Sequence, residues 1–138
     1  MTMPKRPKPS SVYIPKLDAE HNRIAKAIDE LDRTIAAGGE AHEALQDLME
    51  DMSSHLTGEE RLMRSAAYPS YAWHKEQHDT VRRRMKTFAD RIESGESAAV
   101  CEMADFFRIW LRDHTGLHDR MMAAYLRNFA RSQDEKAS

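Results

Sequence analysis

The chain has little of what marks several common protein classes. Its 138 residues include one cysteine, Cys101, which excludes an internal disulfide framework and a cysteine-built zinc cluster within one chain. No run of about 18 apolar residues occurs, so nothing in it reads as membrane-spanning. Neither sign of charge dominates: 21 Lys and Arg stand against 23 Asp and Glu, a formal net charge of -2. That balance implies no general attraction to nucleic acid or to a membrane surface. The basic opening MTMPKRPKPSSVYIP lacks the apolar stretch of a secretory signal, and the cytoplasm is the expected location. What remains, 41% hydrophobic and 32% charged residues, fits one domain with polar outer faces that is long enough to bury a core.

Residues 1–16 read as an irregular N-terminal arm, because prolines at 4, 7, 9 and 15 deny it regular structure. The arm carries Lys5, Arg6, Lys8 and Lys16 without an acidic residue, which suits a solubilising lead-in or a docking peptide for an acidic partner. From Leu17 the apolar spacing becomes that of a helix. Leu17, His21, Ile24, Ile28, Leu31 and Ile35 share one face, with Asp18 as the expected N-cap and Gly38-Gly39 as the stop. A second helix is predicted from about Ala41 to Arg64, a third from Tyr71 to about Ile92 after Pro69 and Ser70, and a fourth from about Ser97 to Ala130. The Arg82-Arg83-Arg84 run falls on the outer face of the third and lacks the interleaved aromatics of a nucleic-acid site. Four amphipathic helices with short connections predict an all-α, up-down-up-down antiparallel four-helix bundle over residues 17–131, with residues 132–138 as a tail.

The inward stripes are not purely apolar. The stretch from His55 to His78 holds two spacings, His55-x-x-x-Glu59 and His74-x-x-x-His78, on either side of the turn Tyr68-Pro69-Ser70. Residues four apart share a helix face, so each pair points two side chains at one cavity. His21 lies in the first stripe and His114 in the fourth. Asp119, five residues after His114, would be rotated by about 140° in a regular helix. A local π-type bulge would return it to the face of His114, and Gly116 lies within that turn. Without the bulge His118 would take its place.

Seven polar groups therefore face the core: His21, His55, Glu59, His74, His78, His114 and Asp119. Each costs roughly 1 to 3 kcal/mol if left unsatisfied, against a net stability of about 5 to 15 kcal/mol for a domain of this size. Metal coordination satisfies them, since imidazole nitrogens and carboxylate oxygens are natural ligands. Five imidazoles and two carboxylates are too many for one zinc ion and too nitrogen-rich for magnesium or calcium. They suit a dinuclear first-row site, with iron the expected metal; ligand type alone also admits manganese. No Glu-x-x-His occurs, which argues against the ferritin-like di-iron enzymes.

The chain resembles the single-domain bacterial hemerythrins. The matching pieces are Leu17-Asp18-Ala19-Glu20-His21, His55-Leu56-Thr57-Gly58-Glu59-Glu60, Met63 with Tyr68-Pro69, His74-Lys75-Glu76-Gln77-His78, and Trp110-Leu111-Arg112-Asp113-His114 followed by Asp119. Glu20, Leu56 and Thr115 depart from the residues common in that family, as does the lack of a tryptophan near the start. The resemblance implies two non-haem iron ions joined by an oxo or hydroxo bridge, and reversible binding of dioxygen. It implies His74, His78 and His114 on one iron, His21 and His55 on the other with one position open, and Glu59 and Asp119 bridging. Ile24, Leu56, Leu117 and Met121 are the expected apolar liners of the dioxygen pocket, where dryness favours release of dioxygen over cleavage of its bond. A carrier or store needs only this centre, and no catalytic residue is assigned. A sensor would need an output through the arm or tail, and an enzyme would act on peroxide or nitric oxide. The expected partners are dioxygen, with nitric oxide or small anions as alternative occupants, and neither nucleic acid nor membrane; a monomer is expected. His42 is expected on the surface, and Cys101 as an inert packing residue.

Overall fold

The computed structural model describes residues 10–137. Residues 1–9, and with them the docking-peptide reading of Lys5, Arg6 and Lys8, lie outside the described residues. Helix α1 spans Pro15–Ala36, α2 His42–Ser65, α3 Tyr71–Glu93 and α4 Ala98–His114. A π-type turn, Thr115–Asp119, then leads without a break into α5, Arg120–Ala137. The last three segments form one rod, the fourth helix of an all-α four-helix bundle. Helix α1 packs on α2 and α4, and α3 on the same two, so helices consecutive in sequence are neighbours in space. Among the described residues, no helix is long and apolar enough to cross a membrane.

The start of α1 differs from expectation. Ile14 is the N-cap, and Pro15, whose fixed φ suits the first turn, opens the helix two residues before Leu17. Asp18 is not the cap: its carboxylate accepts 2.8 Å bonds from the Val12 amide and from Ser11 Oγ, which fastens the arm to the first turn. Val12 is fully buried, and Arg127 donates to its carbonyl oxygen. The end of α1 follows glycine chemistry. Gly38 takes a φ of 71°, its amide bonds to Ile35 O, and the Gly39 amide reaches back to Thr34 O at 2.9 Å. The α2 terminus repeats this pattern with Ala67, at φ 50°, in the position that glycine would occupy without strain.

The fourth helix runs on to Ala137, past the expected end at Ala130, so residues 132–137 continue it instead of forming a separate tail. Ser132-Gln133-Asp134-Glu135-Lys136 contains neither glycine nor proline to stop it.

Two apolar clusters fill the interior. The larger includes Ile24, Ile28, Met52, Leu56, Val81, Phe107 and Leu111; the smaller includes Val12, Leu17, Met63, Tyr68, Met122 and Ala123. Each helix that bridges them carries its polar residues at the boundary. His21 falls between Leu17 and Ile24, Glu59 between Leu56 and Met63, and His114 and Asp119 between Leu111 and Met122. The polar layer is thus sealed by hydrocarbon at both ends, where an unpaired charge is costly.

Candidate metal centre

All seven inward polar residues lie in this layer, none more than 3% exposed. Their donor atoms fall into two sets, each within 4.8 Å of mutual separation: Glu59, His74, His78, His114 and Asp119 on one side, and His21, His55, Glu59 and Asp119 on the other. The carboxylates belong to both sets, one oxygen to each. Glu59 Oε1 lies 3.2 Å from His74 Nε2 and 3.1 Å from His78 Nε2, while its Oε2 lies 3.1 Å from His55 Nε2 and 3.7 Å from His21 Nε2. Asp119 Oδ1 faces His114 and His74 at 2.9 and 3.2 Å, and its Oδ2 faces His21 at 3.0 Å.

The π-type turn brings Asp119 here. One extra residue in the turn offsets the rotation that would carry a residue five beyond His114 off the inner face. The same insertion shifts everything after it, and the pocket expectation fails accordingly for two residues. Leu117 and Met121 are 55% and 48% exposed, on the outside of the rod, and Met122 and Ala123 take the buried positions instead. Ile24 and Leu56 are buried as expected. His118 is half-buried, its ring 4.5 Å from that of Trp73, outside both donor sets. His42 is exposed, and so is Cys101, on the outer face of α4 and not packed into the core.

Donor chemistry fits metal ions better than a hydrogen-bonded polar core. His21 Nε2, His55 Nε2, Glu59 Oε2 and both Asp119 oxygens are buried without a hydrogen-bond partner, although they lie 3.0 to 3.7 Å from one another. Each belongs to a set whose donor atoms all lie within 4.8 Å of one another, close enough to share an ion. In the metal-free protein, protons supply the missing positive charge. Burial alone would lower the His55 imidazole, but the Glu59 and Glu20 carboxylates outweigh it and raise it to about 10. For His74, burial is likewise outweighed by Asp119 and Glu59, which raise it to about 9; His21 also rises against burial, through Asp119 and Glu59. Burial would raise Glu59 and Asp119, yet the surrounding imidazoles hold both below the usual carboxylate range. Among the imidazoles of the two donor sets, His114 is lowered, chiefly by burial.

The inward Nε2 donors depend on what holds the opposite edge of each ring. His78 Nδ1 lies 2.8 Å from Glu60 Oε2, which is itself paired with Arg82 at 2.7 Å. His114 Nδ1 lies 3.2 Å from Gln77 Oε1, and the Trp110 ring stacks on this imidazole at 4.3 Å. His55 Nδ1 lies 2.8 Å from Glu20 Oε1. An acceptor at Nδ1 keeps the proton there and leaves the Nε2 lone pair for a metal. His21 Nδ1 and His74 Nδ1 have no such partner. Helical periodicity gives Glu20, Glu60 and Gln77 no such role. The available signal was adjacency, since each sits one residue from a candidate donor and one step off the apolar stripe.

A cleft of about 300 Å³ between α1 and α2 opens to solvent over the Glu20–His55 contact, with Lys16, Arg23, Ser54, Gly58 and Arg61 also on its walls.

Comparison with known proteins gives the family. The family model described as the hemerythrin HHE cation binding domain matches residues 12–126. The chain is similar to bacteriohemerythrin from Aquifex aeolicus (strain VF5), 29% identical over 114 residues, covering 80% of this chain and 87% of the relative. It is similar to bacteriohemerythrin from Stenotrophomonas maltophilia (strain R551-3), 28% identical over 127 residues, covering 88% and 82% respectively. Myohemerythrin from Theromyzon tessulatum is 27% identical over 103 residues, covering 75% of this chain and 77% of the relative. No solved structure gives a significant match. Hemerythrins are oxygen-binding proteins and not enzymes. With the family match spanning most of the bundle and a buried histidine and carboxylate cluster at its centre, the chain belongs to the hemerythrin family.

Proposed function

We propose that the protein binds dioxygen reversibly at two non-haem iron ions and serves as a carrier or store. The observation that carries this reading is the pair of donor sets sharing Glu59 and Asp119, with one oxygen of each carboxylate turned to either side. His74, His78 and His114 would hold one iron, and His21 and His55 the other. The second set has one histidine fewer, so an exogenous ligand would enter on that side. When bound, an iron pair supplies the reversible electron donation that dioxygen needs in order to bind without being consumed.

The chain's own residues do the rest. Glu20, Glu60 and Gln77 hold the outer edges of three imidazoles and fix their inward orientation. Ile24, one turn on from His21, and Leu56, next to His55, are buried and would place hydrocarbon beside the two-histidine side. Among the described residues, the only buried carboxyl or imidazole group outside the two donor sets is Glu60, which is engaged by His78 and Arg82. No spare acid therefore stands ready to deliver a proton, which favours release over bond cleavage.

The test is an optical titration of the anaerobically reduced, iron-loaded protein. A charge-transfer band that appears with air and vanishes on degassing, and that is absent in His55→Ala, is expected. Irreversible conversion to the oxidised form on first exposure to air would overturn the carrier reading. Nitric oxide and small anions are expected to compete for the same side.

A further inference from the structure

Thr115 is fully buried, and its Oγ1 has no hydrogen-bond partner. A helical threonine commonly satisfies its hydroxyl on the carbonyl four residues back. Thr34, Thr80 and Thr87 do so here, on Glu30 O at 2.9 Å, Glu76 O at 3.1 Å and Arg83 O at 3.1 Å. Thr115 does not, and an unpaired buried hydroxyl calls for an explanation.

Its position follows from contacts on either side of it. Arg108, two turns earlier on the same face, pairs with Asp32 of α1, and Asp119 Oδ2 meets His21 of α1. Equal steps along the two antiparallel helices set Thr115 level with Ala25, beside Ile24. Trp110 and His114 turn instead toward α3, where they meet His78 and Gln77. Four residues of a π-type turn make nearly one revolution, so Thr115 shares the inward face of Asp119. This register places Thr115 on the α1 side of the layer, about one turn of α1 from His21.

We propose that Thr115 is a specificity-determining residue whose hydroxyl donates a hydrogen bond to a small inorganic anion entering beside His21 and His55. This rests on the reading above, in which the two-histidine side carries the open position. A buried donor with no protein partner favours a ligand that bears negative charge over a neutral one of equal size.

Azide is the probe, titrated optically into the oxidised, iron-loaded protein. Thr115→Val keeps the shape and removes the donor; it is expected to weaken azide binding about tenfold, and Thr115→Ser to retain it. In the metal-free protein the valine variant is expected to melt at the same temperature as the wild type or higher, because no folded-state partner is lost. Unchanged azide affinity in Thr115→Val, or a lower melting temperature of the metal-free variant, would overturn the proposal. Failure of the iron-loaded wild type to bind azide at all would instead overturn the open position on which it rests.

Discussion

The two sides of the polar layer share their carboxylates but not their support. On the three-histidine side, His78 is backed by buried Glu60 and its Arg82 partner, and His114 by Gln77 and the stacked Trp110 ring. On the two-histidine side, only His55 is backed, by a Glu20 whose side chain is 28% exposed to the cleft. His21 has no partner at its outer nitrogen, and neither does His74 on the other side. Two of three imidazoles are thus backed on one side and one of two on the other, and only the acceptor on the two-histidine side faces the cleft. In the proposed reading, the side with one histidine fewer is the one that accepts and releases a ligand.

The largest expected effect comes from removing what both sides share. Glu59→Ala should abolish iron loading at both positions and cost the metal-free fold about 3 to 5 kcal/mol, because it leaves raised imidazoles without their counter-charge; iron analysis and denaturant melts check it. Retention of one iron per chain would show that the carboxylate serves one side only.

Next in size is the separation of the sides. His55→Ala should lose the iron of the two-histidine side and retain the other, whereas Glu60→Ala should lower affinity on the three-histidine side about 10- to 100-fold. Glu20→Ala should cost less than Glu60→Ala, since water in the cleft can replace the exposed acceptor and cannot reach the buried one. Equal losses in the two variants, measured by chelator competition, would erase the distinction.

A pH series sharpens the same contrast between protons and metal. In the metal-free protein, His55 and His74 are raised from 6.5 to about 10 and about 9. Their contribution to stability is therefore fully present below about pH 6.5 and is lost as pH rises through 9 to 10. Glu59 and Asp119 are lowered, so theirs is present above the ordinary carboxylate range and lost as pH falls below it. The metal-free melting temperature should peak near pH 5 to 6 and decline through pH 10. Iron loading should reverse the alkaline decline, because metal replaces the protons.

The smallest effect lies outside the centre. Ala67→Gly relieves a left-handed alanine at the α2 terminus and should stabilise the fold by about 1 kcal/mol. The iron content of neither side should change, which makes it a control for the other variants.

Much of this arrangement is legible in the sequence because helical periodicity fixes which residues share a face. His21, His55, Glu59, His74 and His78 lie on the inner stripes of regular helices, and the glycines at 38 and 95 mark helix ends. Asp119 required a departure from regularity, and the five-residue spacing from His114 predicts the π-type turn that the structure contains. The consequences of that turn are harder to read. Extending a regular period beyond it assigned Leu117 and Met121 inward, whereas the inserted residue rotates both to solvent and brings Met122 in. Glu20, Glu60 and Gln77 were equally hidden, since a residue one step off the stripe is ordinarily solvated. Only the packing of a neighbouring helix shows that these three reach a ring nitrogen.

The measurement that tests the account most directly is Mössbauer spectroscopy of protein loaded with isotopically enriched iron, oxidised, and saturated with azide. Two irons per chain, resolved as two components of equal area with azide perturbing only one, is the predicted result. One iron per chain, or two irons that respond to azide alike, would contradict a centre built from two unequal sides.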